Sequence, residues 1–292
     1  NEILFRLVGS EMCIIDRYNL IQERGPWLLK KNLLSKSIFK FLKNYLKFDE
    51  TIFVGNHIQT MTGQEAFNWL GSEYTSNCEV KGLENIPADG KCLIVSNHPM
   101  GAADAIALYY QIFKIRQDSF FFANELFVYL LGAFDEVIAP VVWNKEKETH
   151  SANKTTLERI NVFFDSERPG IIFPSGRLSK LTLLGLRDRP WEKTPIILAK
   201  RYNFPLVPVY VKGRNSWFYY FASIISKQLR DVSQLNELFN KREKKIKINI
   251  GKPIKVSSLS ENTDTAIQEL RDRAQRLRRL SVSYTHLTLP TT

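Results

Sequence analysis

Cysteine is scarce in this chain: its 292 residues include 3 cysteines, with no Cys-x-x-Cys pair and no cysteine–histidine cluster. This scarcity argues against a disulfide framework or a zinc site and is typical of a protein in a reducing compartment. The chain also lacks a phosphate-binding P-loop, a dinucleotide-binding Gly-x-Gly-x-x-Gly motif and a Gly-x-Ser-x-Gly nucleophile motif. P-loop nucleotide-binding proteins, dinucleotide-dependent oxidoreductases and α/β-hydrolases are therefore not indicated.

Long hydrophobic runs are absent as well. The closest approach, residues 120–143, contains Glu125, Asp135 and Glu136, whose charges would be expensive in lipid, so no conventional membrane-spanning helix is predicted. Acidic residues are outnumbered, with 30 Asp and Glu against 41 Lys and Arg, for a net charge of +11. That charge predicts an anionic partner. The sequence lacks the aromatic–basic pattern of known RNA-binding modules, so nucleic acid is not the predicted partner. The predicted partner is an anionic membrane surface.

The two ends of the chain resemble non-native sequence. Residues 282–291 (VSYTHLTLPT) and 7–16 (LVGSEMCIID) are similar to translated sequencing-library adapters. We therefore expect 1–17 and 281–292 not to be native and not to belong to the fold. The rest is predicted to form an N-terminal helical, membrane-facing segment, 18–75, and a larger domain, 76–280.

The N-terminal segment contains a basic amphipathic pattern at residues 27–48. Apolar side chains recur there at mostly helical spacing, while the complementary positions hold six lysines and no acidic residue. A helix of this kind can lie in an anionic lipid interface. It can equally pack on its own domain with its lysines in water, and the sequence leaves both alternatives open.

The larger domain is predicted to be an α/β fold, with a largely parallel central sheet flanked by helices. Short apolar strands alternate there with helical segments. The alternating segment 245–250 is predicted as an edge strand. The predicted strands before it lie at 78–82, 93–95, 120–123, 137–142, 170–173 and 205–211.

A histidine follows one of these apolar strands. The strand at 93–95 leads into residues 97–101, Asn-His-Pro-Met-Gly, whose proline and glycine place His98 on a loop at the strand's C-terminal end. A helical segment, 102–110, follows with Asp104 in its first turn. If the two side chains meet, the carboxylate can orient the imidazole as a general base toward a hydroxyl group. The alternative is a structural histidine in a turn.

A second loop, residues 174–180 (PSGRLSK), follows the strand at 170–173. Gly176 would let backbone N–H groups approach an anion, and Arg177 and Lys180 supply positive charge for a phosphate. In a parallel sheet the loops at the C-terminal ends of the strands share one edge and line the ligand crevice. We therefore expect this loop to lie near His98.

Taken in order, these blocks resemble the lysophospholipid acyltransferase family. The first has the form Asn-His-Pro-x-Gly-x-x-Asp of the subgroup labelled hemolysin-like, and the match covers about 76–255. The matching stretches are 97–104 (NHPMGAAD), 123–126 (ANEL), 172–177 (IFPSGR), Asp188 with Trp191, and 205–209 (PLVPV).

The resemblance implies an acyltransferase domain at 76–280. It would transfer an acyl group from acyl-CoA or acyl-carrier protein to the hydroxyl group of a lyso-lipid, with His98 as general base and Asp104 orienting it. No metal or prosthetic cofactor is implied. The expected location is the cytoplasmic face of the inner membrane of a bacterium, as a peripheral or monotopic protein. The implied substrate-binding residues are Asn97, Gly101, Asn124, Glu125, Pro174, Ser175, Gly176 and Arg177.

Two positions depart from the family's common Phe-Pro-Glu-Gly-Thr-Arg block. This chain has Ser175 in place of the glutamate and Arg177 in place of the threonine. The acceptor implied by default is lysophosphatidate, in phospholipid biosynthesis. A lyso-aminolipid of the ornithine or glycine type is the alternative acceptor. A non-enzymatic lipid-binding protein is the alternative to an enzyme.

Overall fold

The computed structural model describes residues 44–45, 47–124, 134, 136–141, 150–183, 185–225 and 227–281. Glu125, nearly all of the basic 27–48 segment and all but residue 281 of the adapter-like ends lie outside these residues.

Helices and strands alternate along most of the described chain, as the sequence predicts. In chain order they are α1 (Phe48–Ile58), α2 (Gly63–Tyr74), β1 (Cys78–Lys81), β2 (Leu93–Ser96), α3 (Ala102–Phe113), β3 (Phe120–Asn124), β4 (Ile138–Val141), α4 (His150–Asp165), β5 (Gly170–Ile172), β6 (Lys180–Thr182), β7 (Gly185–Arg187), α5 (Thr194–Tyr202), β8 (Leu206–Lys212), α6 (Trp217–Ile225), α7 (Lys227–Phe239), β9 (Ile246–Ile250) and α8 (Thr263–Arg276).

The described residues fall into two compact units. The first combines residues 44–62 with 215–240, and the second combines 63–214 with 241–281. The division near residue 62 differs from the boundary near residue 75 predicted from the sequence. The sequence also places 215–240 in the larger domain, whereas the structure groups them with the first unit.

A seven-stranded sheet forms the centre of the second unit, in the order β1-β9-β8-β2-β5-β3-β4. Five of its neighbouring pairs are parallel, and β8 with β9 is antiparallel. The predicted α/β fold with a largely parallel sheet is thereby confirmed. All four residues of β2 are buried, as a continuous apolar run requires in a central parallel strand.

Apolar helices cover both faces of this sheet. On one face Phe67 of α2 contacts the rings of Tyr109 in α3 and Phe121 in β3, with centroids 5.1 and 5.0 Å apart. On the other face α4, α5 and α8 contribute to a single buried cluster with side chains of β2, β3 and β8. Its largest members include Phe120, Phe122, Phe163, Phe164, Trp191 and Phe204.

The predicted edge strand at 245–250 corresponds to β9, and its placement at an edge is wrong. β9 lies between β1 and β8, and β1 is the edge. The alternating lysines that indicated solvent are paired with the neighbouring strand, since Glu79 of β1 lies 2.7 Å from Lys245 and 3.2 Å from Lys247. These ion pairs hold the pKa of Glu79 at about 2, below its ordinary value.

The first unit contains α1 and a helical hairpin, α6 and α7. The ring of Tyr45, near the end of the basic 27–48 segment, lies 4.2 Å from the ring of Phe218 in α6. Ser216 precedes α6, and its backbone N–H donates to the carboxylate of Glu237 in α7 at 2.8 Å. No helix in the described ranges is both long and apolar enough to cross a bilayer.

Candidate active site

His98 stands two residues beyond β2, near the middle of the sheet's C-terminal edge. β2 lies between β8 and β5, so the loop that follows it opens where the strand ends of an α/β sheet usually form a ligand crevice. The side chain of His98 is 16% exposed. Its ring stacks on Phe173, which follows β5, with centroids 4.3 Å apart and 24° between the planes. The imidazole is thus held in place yet accessible.

Asp104 approaches the same imidazole from the first turn of α3. Its Oδ2 lies 3.2 Å from Nδ1 of His98. The same oxygen accepts the backbone N–H groups of Met100 at 2.6 Å and Gly101 at 3.0 Å, which fixes the carboxylate at the start of the helix. The structure therefore brings together the two residues that the sequence predicts to meet.

The carboxyl group of Asp104 is fully buried. Burial raises its pKa above the ordinary value, while His98 and the two backbone N–H groups oppose that shift by stabilising the charged form. Among the described residues Oδ1 has no hydrogen-bond partner, and Nδ1 of His98 has Asp104 as its close contact. A proton on Nδ1 would face the carboxylate, which leaves Nε2 as the nitrogen that can accept a proton from a substrate.

The loop after β5 lies against the histidine loop, as the sequence predicts. The backbone N–H of Ser179 donates to the carbonyl of His98 at 2.8 Å. Ser175 is buried, and its hydroxyl donates to the carbonyl of Arg177 at 2.8 Å, so it is engaged within the loop. Gly176 has a positive φ of 57° at the turn, and the side chain of Arg177 is exposed. The loop therefore presents an exposed guanidinium close in sequence to the contact with His98.

Other predicted substrate-binding residues take varied positions. The side-chain amide of Asn97 bonds with Val211 of β8, donating to its carbonyl at 2.9 Å and accepting its N–H at 2.7 Å, so it joins the ends of β2 and β8. Pro174 is buried, and its carbonyl accepts the N–H of Glu192. Asn124 ends β3, but its side chain, like all of Glu125, lies outside the described residues.

Two residues that support the site, Asp188 and Phe173, were not predicted to belong to it. Asp188 accepts the hydroxyl of Ser179 at 3.0 Å and the indole N–H of Trp191 at 2.6 Å, so it anchors the residue whose backbone bonds to His98. Phe173 supplies the ring beneath the imidazole. A signal for Asp188 was present in the sequence, because Asp188 with Trp191 is one of the stretches that resemble the acyltransferase family.

This arrangement can perform proton abstraction from a hydroxyl group. It has an accessible histidine, a buried carboxylate against its Nδ1, and a cation in the adjacent loop. Across the described ranges no three His, Cys, Asp or Glu side chains come together as a metal site would require.

Known proteins match this chain over most of its length. The model of a family described as acyltransferase matches residues 33–282. A lyso-glycine lipid O-acyltransferase of Bacteroides thetaiotaomicron is 28% identical over 255 residues, covering 85% of this chain and 91% of that protein. One of the same name from Phocaeicola vulgatus is 29% identical over 265 residues, covering 85% and 89%.

Among solved structures, a 1-acyl-sn-glycerophosphate acyltransferase from Thermotoga maritima is similar at 17% identity and a TM-score of 0.48, covering 98% of this chain and 100% of that one. The family match extends through every block that carries the resemblance in the sequence, from the His98 loop to β8. The prediction of an acyltransferase enzyme is thereby confirmed. This chain belongs to the acyltransferase family.

Proposed function

We propose that this chain transfers a fatty acyl group from a thioester donor, acyl-CoA or acyl-carrier protein, to the hydroxyl group of a lyso-lipid. The observation that carries the proposal is the 3.2 Å contact between His98 and a fully buried Asp104, at the sheet edge where ligands bind in α/β folds. A pure binding protein would gain nothing from an accessible imidazole held in this way.

In the proposed reaction, Nε2 of His98 takes the proton from the acceptor hydroxyl while the hydroxyl oxygen attacks the thioester carbonyl. Asp104 stabilises the imidazolium that forms. The tetrahedral intermediate then collapses, the carbon–sulfur bond breaks, and the imidazolium returns the proton to the departing sulfur. The products are an ester and a free thiol, and His98 is again neutral.

For the acceptor we propose a lyso-aminolipid of the glycine type. Both curated relatives described above are named for a lyso-glycine lipid, and together they favour this acceptor over the lysophosphatidate implied by default. A glycine attached through its nitrogen carries a carboxylate, which an arginine can bind in bidentate fashion as it binds phosphate. Arg177, exposed beside the site, is the proposed partner of that head group.

The test is an acyl-transfer assay of the full chain with each donor, acyl-CoA and acyl-carrier protein, against a lyso-glycine lipid, a lyso-ornithine lipid and lysophosphatidate. His98→Ala is expected to lose at least about 10³-fold in kcat, because the base is removed. His57→Ala is the matched control, since His57 is exposed on α1, and it should retain the parental rate.

Transfer that survives in His98→Ala, with the fold intact by circular dichroism, would contradict the proposed base. Preference for lysophosphatidate over the glycine lipid would contradict the proposed acceptor. Binding of the lyso-lipid without transfer from either donor would favour a non-catalytic lipid-binding protein.

A further inference from the structure

The hairpin of β6 and β7 carries two cations directly opposite each other. The two strands form an antiparallel sheet apart from the central one, in which Lys180 pairs with Arg187 and Leu181 pairs with Leu186. Because side chains alternate between the two faces of a strand, Lys180 and Arg187 lie side by side on one face, and the two leucines lie on the other. Both cationic side chains are exposed.

No carboxylate in the described part of the chain neutralises this pair. Neither Lys180 nor Arg187 forms an ion pair or a side-chain hydrogen bond with another described residue. The acidic residue next to Arg187, Asp188, is engaged at the base of the hairpin by the hydroxyl of Ser179 and the indole N–H of Trp191. Like charges directly opposite each other destabilise paired strands, and a hairpin of two strands is by itself only marginally stable. The pair is therefore suited to an anion that the protein does not supply.

Both ends of the hairpin are attached close to the catalytic histidine. Ser179, immediately before Lys180, donates its backbone N–H to the carbonyl of His98 at 2.8 Å. Asp188, immediately after Arg187, accepts the hydroxyl of Ser179 at 3.0 Å and closes the base of the hairpin. One residue of a strand spans about 3.3 Å. The two cations therefore lie one residue beyond the contact with His98, beside the catalytic loop and not within it.

The proposed reaction brings a phosphate to this edge of the sheet. Acyl-CoA and acyl-carrier protein both hold the acyl group on a phosphopantetheine arm, with the thioester sulfur at one end and a phosphate at the other. When the thioester lies at His98, the phosphate lies outside the catalytic loop. A lysine and an arginine held side by side offer such a group two positive charges and several N–H donors. The carboxylate of the proposed acceptor already has Arg177 as its partner.

We propose that Lys180 and Arg187 bind a phosphate of the thioester donor. The identity of this ligand rests on the proposed function, whereas the unneutralised pair of cations does not. The hairpin then holds one end of the donor while the thioester at the other end lies at His98. Donor and acceptor are thus bound by different cations, and the pair takes no part in proton transfer.

The first test measures binding without catalysis, by isothermal titration calorimetry of the full chain with CoA, phosphopantetheine and pantetheine, the last of which has no phosphate. The parent is expected to bind CoA and phosphopantetheine at least about tenfold more tightly than pantetheine, because charge-assisted hydrogen bonds form to the phosphate. Lys180→Gln/Arg187→Gln should bind all three within about twofold of one another. The matched control, Lys255→Gln/Arg273→Gln, removes an exposed lysine and an exposed arginine elsewhere in the second unit and should keep the parental preference.

Thermal unfolding distinguishes this pair from a structural one. Removing two like charges relieves their repulsion, so the unfolding midpoint of Lys180→Gln/Arg187→Gln should equal or exceed that of the parent. A lower midpoint, with the preference for phosphate intact, would show that the pair is structural and would overturn the proposal.

Steady-state acyl transfer then identifies the source of the phosphate. In Lys180→Gln/Arg187→Gln the KM for the donor should rise at least about tenfold, while kcat and the KM for the lyso-lipid stay within about twofold of the parent. A rise for both acyl-CoA and acyl-carrier protein indicates their shared phosphopantetheine phosphate, and a rise for acyl-CoA alone indicates a phosphate of its nucleotide. A rise in the KM for the lyso-lipid alone would assign the pair to the acceptor and overturn the proposal.

The two measurements separate this proposal from the proposed function. If the preference for CoA or phosphopantetheine over pantetheine depends on the pair while no acyl transfer is detected, the proposed function fails and the phosphate site stands. If transfer is detected but the parent binds pantetheine as tightly as both phosphorylated compounds, the phosphate site fails and the proposed function stands.

Discussion

The buried carboxylate of Asp104 gives the site a specific dependence on pH. Because burial raises its pKa, the folded protein holds a proton at Asp104 more tightly than the unfolded chain does. The free energy of unfolding therefore falls as pH rises from the ordinary value of 3.8 through the raised pKa. The ionised carboxylate of Asp104 therefore lowers the free energy of unfolding, while the same negative charge orients His98 and stabilises its imidazolium form.

We expect Asp104→Asn to separate these two effects. An amide would present its NH₂ group to Nδ1 of His98 and favour the wrong tautomer, so kcat should fall by about 10³-fold or more. The variant has no charge to bury, so its free energy of unfolding relative to the parent should increase between pH 4 and pH 8. Urea denaturation across that range, with kcat at pH 7.5, tests both. A difference in stability that is constant with pH would contradict the burial argument.

Gly101 is the other residue on which the geometry depends. Its φ of +80° is unfavourable for any residue with a side chain, and a Cβ there would lie 3.2 Å from a methyl group of Leu178 in the neighbouring loop. Gly101→Ala should lower the unfolding free energy by about 1–3 kcal/mol and also reduce kcat, since the strain lies between His98 and Asp104.

Gly185→Ala is the control for this prediction. Gly185 has a φ of +102°, but a Cβ at that position would meet nothing within 4 Å. The Gly185→Ala variant should therefore lose about as much unfolding free energy as Gly101→Ala, because its φ is also positive, but it should retain the kcat of the parent. Equal losses of kcat in the two variants would show that backbone strain acts on activity only through global stability.

At the residue scale, the sequence was sufficient for His98 and Asp104. Both residues lie in one short stretch, in which a strand, a loop with proline and glycine and the start of a helix follow one another. The local sequence pattern shows each of these features, so it also predicts that the two side chains lie close together. The stacking of Phe173 on His98 could not be predicted in the same way. It depends on β5 lying beside β2, and the paired residues of these strands, such as Leu93 and Gly170, are 77 positions apart, so no local pattern specifies the pairing.

Between the elements, Asp188 connects the hairpin of β6 and β7 with the catalytic loop. Asp188→Ala would leave the indole N–H of Trp191, which is 5% exposed, without its acceptor, at a cost of about 1–3 kcal/mol. We expect the thermal unfolding midpoint to fall by about 2–4 °C per kcal/mol. We also expect kcat to fall with KM unchanged, because Ser179 no longer holds the carbonyl of His98 through a fixed loop.

Asp188→Asn should recover part of both properties, since its amide oxygen can still accept one hydrogen bond. Asp165→Ala, at an exposed aspartate near the end of α4, provides the control and should match the parent. A rise in KM with unchanged kcat in Asp188→Ala would indicate that the loop binds the acceptor rather than positions the base.

At the element scale, apolar runs predicted β2, β5 and β8 because nearly all of their residues are buried, as in strands covered on both faces. The short hairpin of β6 and β7 carries no such run and was not predicted. The edge position of β9 was wrong because alternating lysines look the same whether they face water or the carboxylate of a neighbouring strand. The sequence did not predict α6 and α7. In α6, apolar residues occupy both the buried and the exposed side, so the sequence shows no helical alternation of apolar and polar residues.

At the scale of the whole molecule, packing protects both cysteines that lie in the described part of the chain. Cys92, immediately before β2, is 0% exposed, and burial raises its pKa to about 12; burial likewise raises the pKa of Cys78 to about 11. Since the thiolate is the reactive form, iodoacetamide at pH 8.5 should modify Cys92 at the rate of unfolding and Cys78 somewhat faster. Mass spectrometry of the two peptides, with urea-unfolded protein as reference, measures this. Rapid native labelling of Cys92 would contradict the packing of β2.

Strand order has a consequence for the synthesis of this protein. β1 forms its ladder with β9, and 164 residues lie between Lys81 and Ile246. At a translation rate of about 5–20 residues per second, β1 must wait roughly 8–33 s for the strand that completes its pairing. Its backbone N–H and C=O groups remain open to other chains during that interval. A nascent chain stopped before residue 246 would contain the whole histidine loop but would lack the partner of β1, so we expect such fragments to be recognised and removed rather than to accumulate as enzyme.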